Sequence, residues 1–383
     1  MKIVIAPCSF KGTFSTLEVI EIVEEQARKH FKNAYIKGVP IADGGEGTVH
    51  ALVNFTKGEY RHARITGPAG KPVEALYGVI NEDTAVLEVA QTSGLKVLEK
   101  ERTGLPCATT YGMGELIKHV LDEGFRKITI GLGGSGTNDG GIGMAQAMGV
   151  RFILQDGTEA RFGGRDLDKI SDIDISGLDE RIQDCEIIVM CDVSNPLTGE
   201  SGATYIFGGQ KGGDPAMLDC LEAGMKHYAR IVKEKLGLYL NAMPGGGAAG
   251  GLGAALAGFL DARLKVGTEY FLNMIGFEEI IKDADLVVTG EGKLDRSTTF
   301  GKAPVGIAHC CARYEVPVAV VAGSLGPGYE RMYEYGIQGV MPSVASVMTD
   351  DEMVCNARQD LMMASDRLFR LIKLGMHIKN KNY

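Results

Sequence analysis

Five short stretches hold most of the residue types in this chain that could do chemistry on an anion. They are CSFKG (8–12), ADGGEGT (42–48), GLGGSGTNDGG (131–141), CDVSNPLTG (191–199) and TGEGKLD (289–295). Each follows an apolar run of the kind that forms a buried strand. Ligands of open α/β sheets bind beyond the carboxyl ends of the strands. Five such loops together are a stronger signal than any one of them.

The 131–141 stretch contains Gly131-x-Gly133-x-x-Gly136, the spacing of a dinucleotide-binding turn, and Asp156 lies where a ribose-binding acid would belong. The same spacing recurs at Gly245-x-Gly247-x-x-Gly250. With 53 glycines, about twice the usual share of roughly 7%, one such match is expected by chance. The dinucleotide turn also wants small apolar residues, whereas Ser135, Thr137, Asn138 and Asp139 are hydrogen-bonding groups. A phosphate fits them better: glycines let backbone N–H groups converge on an oxyanion, and hydroxyls add donors. Gly133, Gly134, Ser135, Thr137 and Asn138 are therefore the expected phosphate ligands. Asp139 reads as a helix cap.

No Walker A sequence occurs; FGKAPVG around Lys302 lacks its upstream glycine and its Ser/Thr. The cations of such a site would be Lys11, Lys211 (in FGGQKGG), Lys293 and Lys302, each beside glycine. Asp43, Glu46, Asp192, Glu291 and Asp295 are the carboxylates of these loops. Phosphoryl transfer uses carboxylates to hold Mg²⁺ and to orient or accept the proton of the attacking hydroxyl. Turn caps account for two or three of the five. Asp192 and Asp295 stand out because each follows a strongly apolar strand segment.

These loops require strands and helices in alternation. KIVIAP reads as a buried parallel strand, Thr16 to His30 as a helix, AYIKGVPI as a second strand and Val49–Phe55 as a second helix. Three strands in a meander follow from Glu59. Alternation resumes with TTYGMGELIKHVLDEG, RKITIGLG and GIGMAQAMGV, an edge-like VRFILQ, then EIIVMCDV and a long helix from Pro215. From residue 283 the opening style returns, and the chain closes with a helix from about Asp350 to Lys373. The expected fold is α/β with two domains. Residues 1–65 and 283–383 form a discontinuous, doubly wound domain, and 66–282 form a flavodoxin-like α/β domain set into it. The cleft between them is the expected ligand site.

Composition narrows the function classes. The net charge of −9 argues against a nucleic-acid or anionic-membrane binder. The eight cysteines include no C-x-x-C pair, and the seven histidines fall at no zinc-ligand spacing. A reduced, cytoplasmic protein with neither membrane span nor structural zinc is expected.

Taken together, IAPCSFKG, PIADGGEGT, TYGMGELI, GLGGSGTNDGG, CDVSNPLTGESGA, FGGQKGG, PGGGAAGGLGAAL and TGEGKLDRSTTFGKAPVGIA resemble the bacterial glycerate kinase type 1 family over nearly the whole chain. That resemblance implies ATP- and Mg²⁺-dependent phosphorylation of D-glycerate, usually at the 2-hydroxyl, by a two-domain α/β protein. The roles within such a site follow from the chemistry of the residues: 133–138 and 210–212, with Lys211, are expected to hold the ATP phosphates. Asp192 holds Mg²⁺ or positions the acceptor hydroxyl. Asp192, Asp43 and Asp295 are the catalytic candidates, and Ser9, Lys11, Lys293 and Lys302 the glycerate ligands. The chain departs from the family pattern at Cys8, where Asp is usual, at Ser297, where Gln is usual, at Gly209, where Pro is usual, and at Gly136, where Ala is usual. A neutral thiol is a poor Mg²⁺ ligand. A kinase of another small hydroxy acid, a non-catalytic descendant and a nicotinamide oxidoreductase stay open as alternatives. So does the choice between monomer and homodimer.

Overall fold

The contiguous apolar runs become strands. A computed structural model describes residues 1–10, 12–101, 103–344, 346 and 349–379. The first strands are β1 (Lys2–Ile5) and β2 (Tyr35–Gly38). Next come β3 (Glu59–Thr66), β4 (Pro72–Ile80), β5 (Thr84–Glu88), β6 (Lys127–Gly131), β7 (Arg151–Leu154), β8 (Ile170–Asp174), β9 (Glu186–Met190) and β10 (Arg263–Lys265). Last are β11 (Leu286–Leu294), β12 (Val318–Leu325) and β13 (Ile337–Pro342).

The chain packs into two units, Met1–Asp43 with Thr268–Tyr383, and Gly44–Gly267. The borders therefore fall at 43/44 and 267/268, where the sequence had suggested 65/66 and 282/283. β3 pairs antiparallel with β4 from Glu59↔Val79 to Thr66↔Pro72, which commits it to the inserted sheet. Helix Thr48–Thr56 goes with it: Gly78 of β4 is bare where a Cβ would meet Val53 at 2.5 Å. At the other border, Gly306 leaves room for Thr268, so that segment packs in the discontinuous unit. Periodicity shows that a helix has a face to bury; it does not show which sheet will cover it.

The discontinuous unit is a five-stranded parallel sheet in the order β13-β12-β11-β1-β2. Renumbered within the unit this is 2-1-3-4-5, the flavodoxin order. Alternate residues Ile3, Ile5, Leu286, Val288, Ala319 and Val321 face one core with Val19, Ile22 and Val23 of helix Thr16–His30 and Leu361, Ala364 and Phe369 of helix Asp350–Lys379. A capping box starts the first of these helices: Ser15 Oγ accepts the Glu18 N–H, and Glu18 returns a bond from the Ser15 N–H at 2.8 Å. His30 Nε2 meets Asp366 at 2.7 Å and ties the two helices together.

The inserted unit is not flavodoxin-like in strand order. Its sheet runs β10-β9-β6-β5-β4-β3, each strand beside its nearest predecessor, with no reversal. β5, β6, β9 and β10 are parallel, while β3, β4 and β5 are a meander. β7 and β8 form a separate antiparallel ribbon. Among the described residues no helix is long and apolar enough to cross a membrane.

Candidate active site

In the discontinuous unit the strand order reverses between β1 and β11, the kind of switch point beside which ligands of open α/β sheets bind. The Cys8 N–H donates to Gly290 O at 2.9 Å, and Thr289 Oγ1 to Ala6 O at 2.7 Å, which locks the two strand ends in register. Ser9 follows, half-buried. Lys11 lies outside the described residues.

The stretch 289–295, expected as a loop, is instead strand as far as Leu294. β11 goes on pairing with β12 through Glu291↔Ala322, Lys293↔Ser324 and Leu294↔Leu325. Glycine permits the close approach: a Cβ on Gly323 would lie 2.2 Å from Gly292 O. Strand alternation then sets Glu291 and Lys293 on one face. Lys293 is exposed. Glu291 is only 17% exposed and accepts from Lys302 Nζ and from Thr298 Oγ1, both at 3.2 Å. Burial pushes its carboxyl up; Lys302 and Thr298 oppose that, and the neighbouring Asp43 charge adds to it.

Asp295 has a structural task. Its carboxylate accepts the Ser297 N–H at 2.8 Å and the Ser297 hydroxyl at 2.6 Å and caps the turn Arg296–Phe300. The Ser297 bonds hold it below the usual carboxylate range, with help from Lys302 and Lys293. Asp43 is half-buried. Glu46, by contrast, is exposed and paired with Lys96 in the inserted unit.

In the inserted unit the loop 131–141 leaves the carboxyl end of β6. Its glycines serve packing first. The Gly133 N–H donates to Gly44 O and the Gly136 N–H to Ser93 O, so neither points outward. A Cβ on Gly133 would come within 2.4 Å of Gly45 Cα. Only Gly133, Gly134 and Ser135 reach the surface; Thr137, Asn138 and Asp139 are wholly buried. Asn138 Nδ2 donates to Thr204 Oγ1 at 3.1 Å. Asp139 accepts the Thr110 N–H at 2.8 Å, the Thr110 hydroxyl at 2.9 Å and the Gly141 N–H at 2.9 Å, and burial pushes its carboxyl up. Thr137 Oγ1 and Asn138 Oδ1 are buried without a hydrogen-bond partner among the described residues.

Lys211 enters this knot from the turn Gly209–Lys211. Its Nζ donates to Ser135 Oγ at 2.9 Å and to Thr137 O at 2.8 Å, and the residue is 6% exposed. Burial drops the ammonium to about 7, against the pull of Asp139. The second glycine match lies beneath. Gly250 O accepts the Gly140 N–H, and Ala249, Gly250 and Gly251 all take positive φ. A Cβ on Gly250 would sit 2.1 Å from Thr137 O. Asp156 caps an exposed turn after β7 through Thr158, on the separate ribbon, and so does not stand at a strand end of the main sheet.

Asp192 follows β9, the neighbour of β6, and is half-buried at the same edge as residues 132–135. The Cys191 thiol before it is pushed up to about 11 by burial. The loop beyond is pinned from below: Glu222 accepts the Gly199 N–H at 2.6 Å, and Asn241 Oδ1 accepts the Thr198 N–H at 2.9 Å and its hydroxyl at 3.0 Å. Glu222, Asn241 and Thr110 belong to none of the five loops, and only long-range contact reveals them. Among the described residues no group of three His, Cys, Asp or Glu side chains is placed to hold a metal. A single carboxylate such as Asp192 still suits Mg²⁺, which is commonly held by one or two carboxylates, water and the substrate phosphates. Lys211 Nζ and Ser135 Oγ stand 2.9 Å apart at this edge, with the Thr137 hydroxyl buried behind them.

A family model described as the glycerate kinase family matches residues 3–373. The chain is 46% identical over 351 residues to a glycerate kinase of Halalkalibacterium halodurans, covering 91% of this chain and 92% of that protein. It is 44% identical over 377 residues to a glycerate 2-kinase of Escherichia coli K12, covering 98% and 99%. A solved chain described as glycerate kinase 2 of Salmonella typhimurium LT2 superposes with a TM-score of 0.83 at 41% identity, covering 98% of this chain and 99% of that one.

Proposed function

Because the chain belongs to the glycerate kinase family and is thus a phosphotransferase, we propose that it transfers the γ-phosphoryl group of ATP to the 2-hydroxyl of D-glycerate. The products are 2-phosphoglycerate and ADP. The observation that carries this reading is the end-to-end match to a protein named glycerate 2-kinase. The chemistry of both strand-end edges agrees with it. Lys211 and Ser135 are an ammonium and a hydroxyl held in register for phosphate oxygens, with Gly133 and Gly134 beside them at the surface. Asp192 would hold Mg²⁺, which neutralises phosphate charge when bound. Lys293 and Lys302, with Ser9 after β1 and with Lys11 of the CSFKG stretch of the sequence, are the groups for the glycerate carboxylate. As the hydroxyl oxygen bonds to phosphorus and ADP departs, the hydroxyl proton passes to a carboxylate. The commitment of Asp295 to its turn favours Asp43 for that role.

The test is ADP release with D-glycerate in a coupled assay, alongside Asp192→Ala. Turnover no higher than that variant's sinks the kinase reading. NMR of the product separates 2- from 3-phosphoglycerate. A kinase of a different small hydroxy acid is the second reading. Cys8 motivates it, since it stands at the ligand edge where the family resemblance gives Asp; a substrate panel in which another hydroxy acid surpasses D-glycerate would establish it.

A further inference from the structure

The discontinuous unit carries one charged group at its ligand edge that none of the roles above uses. We infer that Glu291 is a positioning residue for substrate binding: it fixes the Lys302 ammonium and the Thr298 hydroxyl so that Lys302 meets the substrate carboxylate. This rests on the glycerate kinase reading.

Three observations carry it. First, β11 remains a strand beyond its last pairing with β1, so Glu291 is held in the sheet by its pairing with Ala322 of β12, next to the point where the strand order reverses. A strand holds a side chain far more tightly than a loop does. Second, its two donors come from separate elements. Thr298 lies on the turn Arg296–Phe300, and Lys302 is the N-cap of helix Ala303–Ala312. One carboxylate thereby sets the position of both. Third, the arrangement is graded in exposure: Glu291 is 17% and Lys302 33% exposed. The carboxylate is the more buried of the two, and Lys302 stands at the start of a helix, where the dipole also favours an anion. Burying Glu291 beside Asp43 costs stability, as its raised carboxyl indicates. Carboxylates kept in such places cluster at functional sites.

Steady-state kinetics with D-glycerate and ATP test the inference on the wild type, Lys302→Ala, Glu291→Ala, Glu291→Gln and the double alanine variant. Losing a hydrogen bond to a charged group is worth roughly ten- to a hundredfold in binding. Lys302→Ala should raise KM for glycerate by that factor, with KM for ATP unmoved. Glu291→Ala should do nearly the same, and the double variant should be no worse than Lys302→Ala alone. Glu291→Gln keeps the shape and an acceptor oxygen, so its increase should be smaller. The wild-type KM should also rise as pH falls and Glu291 takes up a proton, since the ion pair with Lys302 is then lost. The groups facing Glu291 are Lys302, Thr298 and Asp43, and Glu291→Gln should flatten the profile. Additive effects, or an unchanged KM in Glu291→Ala, overturn this inference alone. A wild type that turns over no glycerate overturns it together with the functional reading.

Discussion

The two units both gather polar residues at strand carboxyl ends, but they keep their lysines in opposite conditions. In the discontinuous unit the strand order reverses, and Lys293 stands exposed. In the inserted unit the order never reverses. Its loops fold back over the strand ends on glycine, and Lys211 is 6% exposed among buried polar groups. Exposed Lys293 stays hydrated and can adjust to an incoming anion, while Lys302 is held by Glu291. Where the order does not reverse, loop packs on loop, and the buried Lys211 is desolvated and held in place.

If that contrast is right, the largest loss comes from the packed side. Lys211→Ala should lower kcat/KM by about 10²–10³, the size expected when one preorganised donor is removed. Lys293→Ala should lose less in the same steady-state assay, and equal losses would break the comparison. Next comes the scaffold under the loop. Gly250→Ala forces a side chain onto positive φ and to within 2.1 Å of Thr137 O. A loss of about 1–3 kcal/mol is expected in chemical denaturation.

The desolvated lysine should also be visible in pH dependence. With its ammonium pushed down to about 7, Lys211 loses charge as pH rises through that value. ATP affinity should then weaken by up to about tenfold per pH unit, the limit for one proton. Lys211→Arg should titrate flat in the same calorimetric binding series. Stability moves the other way. The unfolded chain binds the extra proton between about 7 and the ordinary lysine value of 10.5, so the wild type gains stability across that window. Lys211→Met should not. The smallest effect is at Cys8. Its N–H bond to Gly290 O survives any side chain, so Cys8→Asp should raise kcat/KM for glycerate by less than about fivefold. A gain of a hundredfold would make the open edge the dominant one.

Much of this was legible beforehand where the signal is local. Helix Thr16–His30 has its Ser15–Glu18 capping box written in four residues. β1, β6 and β9 are contiguous apolar runs, and the loops after them hold the residues that reach the edges. The misreadings share one cause. The GEGKL run reads as a turn because it is polar and rich in glycine, yet its glycines are there to let two strand extensions touch. Thr137 and Asn138 read as exposed phosphate ligands, yet Gly250 packs against their backbone and they are buried. Asp295 reads as catalytic because it follows a strong strand; in the structure it also caps the turn Arg296–Phe300 through Ser297.

By itself the sequence determined the α/β class and the order of elements. These follow from periodicity, composition and spacing, which act over a few residues at a time. Eight blocks of residues carried the resemblance to the family. Tertiary structure alone decided which sheet takes helix Thr48–Thr56 and β3, which unit has the flavodoxin order, and which charges are buried. Those depend on pairing between residues far apart in the chain. Burial in turn decides what a charge can do, because the cost of removing it from water is set by the surrounding fold.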